Sequence, residues 1–389
     1  GSSERNISVV VDSEQATRAL RAAHSGFYLS AKTLSVGLIG PGTVGTALLR
    51  QIEKQSEKLA RDFNLDLRVR AIARSQKMLL GDRRVDISRW QDDFDTAAVE
   101  TDLEAFEQHI NPDHLPHAVI IDCTASEHIA SRYAGWLSRG IHVITPNKKA
   151  FSSAYSDHKA LQRAADEGSS HYFYETTVGA ALPVISALCD LLYTGDEVRS
   201  IRGIFSGTLA YLFNVFDGSR PFSEIVREAR EMGYTEPDPR DDLSGMDVAR
   251  KVVILGREMG LPLELSGVQV ESLVPEGLDQ GDVDSFLDGL AEHDEVFNTR
   301  LAKAQAAGEV LRYVGRLQPG GEVSVGLEQL PGDHPFARLN LTDNIVQFRT
   351  HRYHDNPLIV RGPGAGPAVT AAGVFSDLLR LCANLGANL

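Results

Sequence analysis

The residues best suited to chemistry in this 389-residue chain are two lysines and a run of acids. Asp247 and Lys251 stand four apart in a segment whose pattern predicts a helix from about Met246 to Met259, so both side chains share one face. The acids of Glu236 to Asp242 lie immediately upstream. A lysine in that setting is a tunable proton donor and acceptor: a carboxylate neighbour raises its pKa, while burial and a second cation lower it. Taken alone, an Asp/Lys helix pair on a surface contributes roughly a few tenths of a kcal/mol. A second candidate, Asn147-Lys148-Lys149, follows the strand-like IHVI, at the carboxyl edge of a parallel sheet where ligands bind. One of these adjacent lysines can face a ligand while the other is solvated, and spacing does not say which. Acyl or phosphoryl transfer would need a nucleophile elbow or a Walker lysine, and the sequence contains neither. Hydride transfer needs a cofactor, a proton donor and acceptor, and groups that orient the substrate.

A cofactor site is written at Gly40-Pro41-Gly42-Thr43-Val44-Gly45, a G-x-G-x-x-G between a strand and an amphipathic helix. Gly40 permits the tight turn, Gly42 lets the backbone approach a pyrophosphate, and Gly45 allows close helix–strand packing. The amide groups of the helix start, at Thr43 and Val44, attract the anion. Pro41 withholds one backbone donor there. The acid about 20 residues on, Asp66, precedes the strand LRVRAIA, whereas a ribose contact comes from the strand's carboxyl end. Arg74, Ser75 and Lys77 lie at that end; cations and a hydroxyl suit a 2′-phosphate, so NADP is expected over NAD, with both accepted. A second glycine cluster at 362–367, containing Gly364, ends where Pro367 or Ala368 starts a helix and offers another approach to the cofactor.

These residues require a supporting frame. Strand LSVGLI, a helix from about Val44 to Asp62 and strand LRVRAIA read as a βαβ unit. Strands at Ala118–Asp122 and Ile141–Ile144, with a helix near His128–Leu137 between them, continue a doubly wound parallel sheet. The expected organisation is α/β, with four parts. Residues 1–33 are a strand (Asn6–Val11) and a short helix opened by an Asp12/Gln15 capping box and running to about His24, then a linker. Residues 34–150 are a Rossmann-type nucleotide domain, and 151–335 a second α+β substrate and dimerisation domain. That domain holds strand-like HYFYE and RSIRGIF, helices near Leu182–Leu192 and Ser223–Met232, and TEPDPRDD as a loop. Residues 336–389 return as strand, glycine turn and helix to the nucleotide domain.

Composition narrows the partners. Lys plus Arg number 39 against 53 Asp plus Glu, and a net charge of −14 repels nucleic acid and anionic lipid. No apolar run is long enough to span a bilayer and the start lacks a signal-peptide pattern, so no membrane association is expected. Three cysteines, Cys123, Cys189 and Cys382, are too scattered for a disulfide framework, which suits a reducing, cytoplasmic setting. Among twelve histidines the closest pairs, His114/His117 and His351/His354, lack metal-ligand company. Glu175 with the carbonyls of Val178, Ala180 and Leu182 offers all-oxygen ligands that a hard cation could use.

The stretches GLIGPGTVGTALL, VITPNKKAF, YETTVGAALPVI, GIFSGTLAYLFN and GYTEPDPRDDLSGMDVARK together resemble homoserine dehydrogenase, from about Ser35 to the carboxyl terminus. The acidic stretch from Gly233 to Lys251 is the most specific of them. The resemblance implies an NAD(P)-dependent oxidoreductase of amino-acid biosynthesis that interconverts L-homoserine and L-aspartate 4-semialdehyde. By position it implies Lys251 as main proton donor and acceptor, assisted by Lys148. Asp242 and Glu236 would hold the substrate amino group, Thr208 would help bind substrate, and Asp247 would orient Lys251. Thr124 in DCTAS would lie on the nicotinamide side. Glu175, Val178, Ala180 and Leu182 match the family's sodium site, and a homodimer through the second domain's sheet is implied. The opening strand and helix resemble the end of an aspartokinase regulatory domain, as in bifunctional aspartokinase/homoserine dehydrogenases. Two rival readings are another NADPH-dependent oxidoreductase of the same plan and a cofactor-binding regulatory module without catalysis.

Overall fold

Apolar, β-branched runs become strands buried on both faces, the expected state of a parallel sheet covered by helices. In the computed structural model, which describes residues 2–3, 6–16, 19–20, 23 and 32–389, seven strands form the first sheet. They are β1 (Lys32–Ile39), β2 (Leu65–Ala73), β3 (Lys77–Leu80), β4 (Val99–Glu100), β5 (Ala118–Asp122), β6 (Ile141–Ile144) and β7 (Tyr172–Phe173), ordered β4-β3-β2-β1-β5-β6-β7. The pairs from β2 to β7 are parallel, and β3 and β4 add antiparallel at one edge. The strand order reverses beside β1, so the carboxyl ends of β1 and β5 flank the crevice where this architecture binds dinucleotides.

The chain divides into two compact units: residues 1–147, 160–174 and 374–389, and residues 148–159 and 175–373. The second unit is built on a six-stranded mixed sheet of β8 (Val198–Ile204), β9 (Gln269–Val270), β10 (Glu309–Leu317), β11 (Val323–Pro331), β12 (Asp343–Thr350) and β13 (Leu358–Pro363), in the order β9-β11-β10-β8-β12-β13. Only β9/β11 is parallel. The helix Met246–Glu258 packs on β10 and β11, and nine of its residues, from Val248 to Arg257, are buried, so Lys251 and Arg257 sit in protein rather than water.

Several expectations change. The segment HYFYE supplies only β7, which pairs with β6 in the first sheet, because 160–174 belong to the nucleotide unit rather than the second. Residues 336–373 lie in the second unit, since β12 and β13 are claimed by its antiparallel ladder; the return to the first unit begins at 374 instead of 336. The first crossing falls after Asn147 rather than Ala150. TEPDPRDD is not all loop: Asp238 caps a short helix, Pro239–Leu243, by accepting from the Arg240 N–H, with Pro at its start. At the amino terminus the ladder joins Ser2–Ser3 to Asn6–Ile7, Val9 and Val10 are exposed, and Ser13–Gln15 is a 3₁₀ turn in which the Asp12 side chain makes no cap bond, whereas Ala16, Ala19, Leu20 and Ala23 are helical as expected. The helix expected up to His24 falls partly outside the described residues. Among the described residues no helix is long and apolar enough to cross a membrane.

Candidate functional site

Each unit carries its own group of candidate residues. In the first, β1 ends at Ile39 and the helix Thr43–Phe63 begins after Gly42. Gly40 adopts φ +85°, and a Cβ there would stand 2.6 Å from Thr124 Cγ2. A Cβ on Gly45 would lie 2.4 Å from the Gly40 carbonyl, so the helix start is pressed against the turn. Gly42 has open space where its Cβ would be, the opening a pyrophosphate needs. The turn is fastened to its neighbours by Gly40 N–H donating to Ala73 O and Cys123 N–H donating to Ile39 O. Thr43 is exposed and Val44 half-buried in the first helical turn.

Beside the turn, Thr124 follows β5. Its N–H donates to Asp122 Oδ1 at 2.8 Å, and its hydroxyl accepts from Ser126 N–H. Asp122 is fully buried and also accepts from the Tyr133 hydroxyl and, at 3.2 Å, from Asn147 Nδ2. Burial raises its pKa while those donors oppose the rise. Thr124 and Asn147 are thereby tied to one carboxylate. Asp122 is not among the residues that spacing singles out; its signal is an acid closing an otherwise apolar strand, AVIID.

Arg74 and Ser75 stand exposed at the carboxyl end of β2, where the sequence puts them. The Arg74 guanidinium lies 4.6 Å from the Phe94 ring centroid and 5.6 Å from that of Trp90. These rings, four apart on the helix Trp90–Ala97, hold the cation in place without neutralising it.

In the second unit the Asp247 carboxylate bridges both lysines: Oδ1 lies 3.1 Å from Lys148 Nζ and Oδ2 2.7 Å from Lys251 Nζ. Of the two adjacent lysines it is Lys148 that reaches this acid. The side chains are 29 % (Lys148), 41 % (Asp247) and 10 % (Lys251) exposed, so the Lys251 amine is the desolvated end of the cluster. Lys251 also donates to the Phe205 carbonyl at 2.6 Å. Burial, abetted by the Lys148 charge, pulls its pKa below the ordinary lysine value against the pull of Asp247. For Asp247, withdrawal from water opposes the charge, but Lys148 and Lys251 outweigh it and hold the carboxyl well below the usual range.

The helix Met246–Glu258 positions both lysines. It carries Asp247 and Lys251 itself, and Arg250 donates to the Ser152 hydroxyl, which donates to Lys148 O. Arg257, buried, donates to Phe151 O at 2.6 Å and Ser153 O at 2.7 Å, clamping the segment that follows Lys148. Neither arginine stood out in the sequence.

Asp242 accepts from the Glu236 N–H at 2.8 Å, and the Thr208 hydroxyl, which donates to Tyr234 O at 2.6 Å, also supports its charge. Burial nevertheless pushes Asp242 up to about 6, with the Glu236 and Asp247 charges adding. Glu236 is exposed. Thr208, Glu236 and Asp242 thus form an acidic, hydroxyl-lined group beside the lysine cluster, suited to a substrate ammonium.

The Glu175 carboxylate accepts from the N–H groups of Ile185 and Ser186 at the start of the helix Val184–Tyr193, so it caps that helix, and the cation reading rests on carbonyls. Gly179 (φ +82°) and Ala180 (φ +53°) turn the backbone there. Among the described residues no group of three or more His, Cys, Asp or Glu is arranged to hold a metal. Gly364 lies in the second unit, and a Cβ on it would fall 2.0 Å from Asn344 Cγ.

A parallel sheet with a glycine turn at its switch point, beside a second unit presenting a desolvated lysine, defines the class: an α/β protein with a dinucleotide-binding type of sheet and a separate second unit. A family model described as "Homoserine dehydrogenase" matches residues 183–379, and one described as "Homoserine dehydrogenase, NAD binding domain" matches 40–175. The chain belongs to the homoserine dehydrogenase family. It is 53% identical over 392 residues to "Bifunctional aspartokinase/homoserine dehydrogenase 2, chloroplastic" of Zea mays, covering 100% of this chain and 42% of that protein. The chain therefore spans less than half the length of such curated relatives. A crystal structure of a Candida auris protein of unknown function is 36% identical, with TM-score 0.82, covering 92% of this chain and 99% of that one. A "hyperthermophilic archaeal homoserine dehydrogenase in complex with NADPH", 22% identical with TM-score 0.70, covers 90% of this chain and 98% of its own and shares the fold.

Proposed function

We propose that this chain interconverts L-homoserine and L-aspartate 4-semialdehyde using NADP, with NAD accepted. The observation that carries the reading is the pair of lysine amines on one carboxylate, the Lys251 amine buried and its pKa depressed. The fit of a cofactor is supported by the space at Gly42 and the packing of Gly40 and Gly45. A bound nicotinamide supplies or accepts the hydride. Gly40, Gly42, Thr43, Val44 and Gly45 take the pyrophosphate, and Thr124 faces the nicotinamide side. The exposed Arg74 cation, with Ser75, receives a 2′-phosphate and so favours NADP.

Lys251 donates a proton to the substrate oxygen when the aldehyde becomes an alcohol, and its neutral amine removes that proton in reverse. Lys148 stabilises negative charge developing on the same oxygen, and Asp247 holds both amines in register. Glu236 and Asp242 bind the substrate ammonium, with Thr208 supporting Asp242. The carbonyls of Val178, Ala180 and Leu182, with Glu175, would be the ligands of a sodium ion in a structural role. The reading extends to a cytoplasmic homodimer formed through the second unit's sheet. It extends also to a longer chain with an aspartokinase portion, in which threonine acts as regulator.

The test is reduction of aspartate semialdehyde by the purified protein, followed by NADPH and NADH oxidation on one preparation. The Lys251→Ala variant should lose about 10² to 10⁴ in turnover while binding NADPH nearly as tightly as the parent. Full activity in that variant refutes the assignment. An oxidoreductase of other specificity would leave aspartate semialdehyde untouched, and a purely regulatory module would bind threonine without turnover.

A further inference from the structure

Lys251 has a neighbour that the reaction as proposed does not use. The Phe205 carbonyl at the end of β8 accepts from Lys251 Nζ at 2.6 Å and from Asn344 Nδ2 at 3.1 Å. Asn344 lies on β12, next to β8, and has no exposed surface. Its other amide atom, Oδ1, is buried without a hydrogen-bond partner among the described residues. An orphaned buried acceptor is a cost that a leucine of similar volume would remove, so the fold's retention of asparagine calls for a use of the N–H that remains. The backbone is shaped to admit it: Gly364 passes so close that a Cβ would sit 2.0 Å from Asn344 Cγ and 2.1 Å from Nδ2. The amide orientation is set by chemistry, since Oδ1 facing the Phe205 oxygen would repel it.

We propose that Asn344 is a positioning residue for Lys251, acting through the Phe205 carbonyl they share, and that Gly364 is glycine in part to make room for it. The proposal rests on the reading of Lys251 as proton donor and acceptor. Two donors on one oxygen, hence within about 6 Å of each other, compete for its lone pairs and fix its direction. The Asn344 dipole presents its positive end to the oxygen that would otherwise serve the Lys251 ammonium alone, and so favours the neutral amine. The charged groups around that amine are Asp247 on its own helix, Lys148 on the segment after β6, and Asp242 on the short helix Pro239–Leu243. None of them contacts Asn344 through a hydrogen bond recorded among the described residues.

The experiment compares the parent with Asn344→Leu in homoserine oxidation with NADP⁺, recording kcat/KM against pH. In this direction Lys251 must be neutral, so activity rises with pH through its pKa. Asn344→Leu should shift that ascending limb to higher pH by about half a unit to one unit, with NADPH binding unchanged. A limb that stays in place, whatever the rate, overturns the proposal, because a merely structural role moves stability and not this limb. A second variant guards against misfolding: Gly364→Ala should lower kcat/KM in the parent at least about tenfold and do so far less in an Asn344→Ala background, where the obstructing amide is gone. Equal losses in both backgrounds overturn the Gly364 part. If the parent itself fails to oxidise homoserine, it is the proposed function that falls.

Discussion

Asp247→Asn isolates the charge that the two lysines share. The exchange preserves shape and removes one negative charge from contact with Lys251 at 2.7 Å and Lys148 at 3.1 Å. At about 4 Å between charge centres and an effective dielectric constant near 20, that attraction is about 4 kcal/mol, or about 3 pH units on the partner. Asp247 is 41 % exposed, so solvent screening reduces this to about 1 to 2 units. Lys251 is already depressed by burial and by Lys148, and losing the Asp247 charge, which raises it more than Asp242 does, drives it lower still. For homoserine oxidation, where the neutral amine is required, the ascending limb of kcat/KM should therefore move about 1 to 2 units to lower pH, while the maximal rate falls as the amine loses its orientation. The assay is NADP⁺ reduction across pH 5 to 10 (roughly the range over which a tuned lysine titrates) for the parent and Asp247→Asn. A limb that stays put, or moves to higher pH, would show that Asp247 does not face the working amine.

Two further outcomes follow from the same geometry. Gly45→Ala places a methyl 2.4 Å from the Gly40 carbonyl, so the turn must open; the KM for NADPH should rise about tenfold or more with little change at the substrate, as steady-state kinetics with each ligand varied will show. Asp242, titrating at about 6, is charged above that pH and neutral below it. The KM for homoserine should accordingly rise as pH falls through about 6 in the parent, and Asp242→Asn should be weak at every pH, with that inflection gone. Because burial raises the Asp242 pKa, the folded state takes up its proton more readily than the unfolded chain. Its cost to stability is therefore relieved on acidification from about 6 towards 4, and the same variant should flatten that gain in a thermal melt.

The central strands, the glycine turn and the helix Met246–Glu258 were legible because each is a local pattern with a local cause. Apolar β-branched runs become β1, β2, β5 and β6; a strand running into glycines and then an amphipathic repeat becomes a turn and a helix; a four-residue spacing puts Asp247 and Lys251 on one face. It was the resemblance to homoserine dehydrogenase, position by position, that marked Lys148, Asp242 and Thr208 as candidates; residue types and spacing alone did not single them out.

What the chain alone left open was decided by contacts between residues far apart in sequence. Nothing local distinguishes Lys148 from Lys149; the ion pair with Asp247, about 100 positions away, does. Asn344 meets the Phe205 carbonyl that accepts from Lys251 only because β12 lies next to β8, and Arg257 reaches the segment after Lys148 only because its helix folds back over it. The strands β12 and β13 looked like a return to the nucleotide unit, but hydrogen-bonded ladders choose partners by edge availability, and the second sheet took them. Burial is likewise a property of the assembled unit. The same Asp-x-x-x-Lys spacing on a solvated helix would be an ordinary surface pair, and it is the surrounding protein that removes water from the Lys251 amine and turns it towards proton transfer.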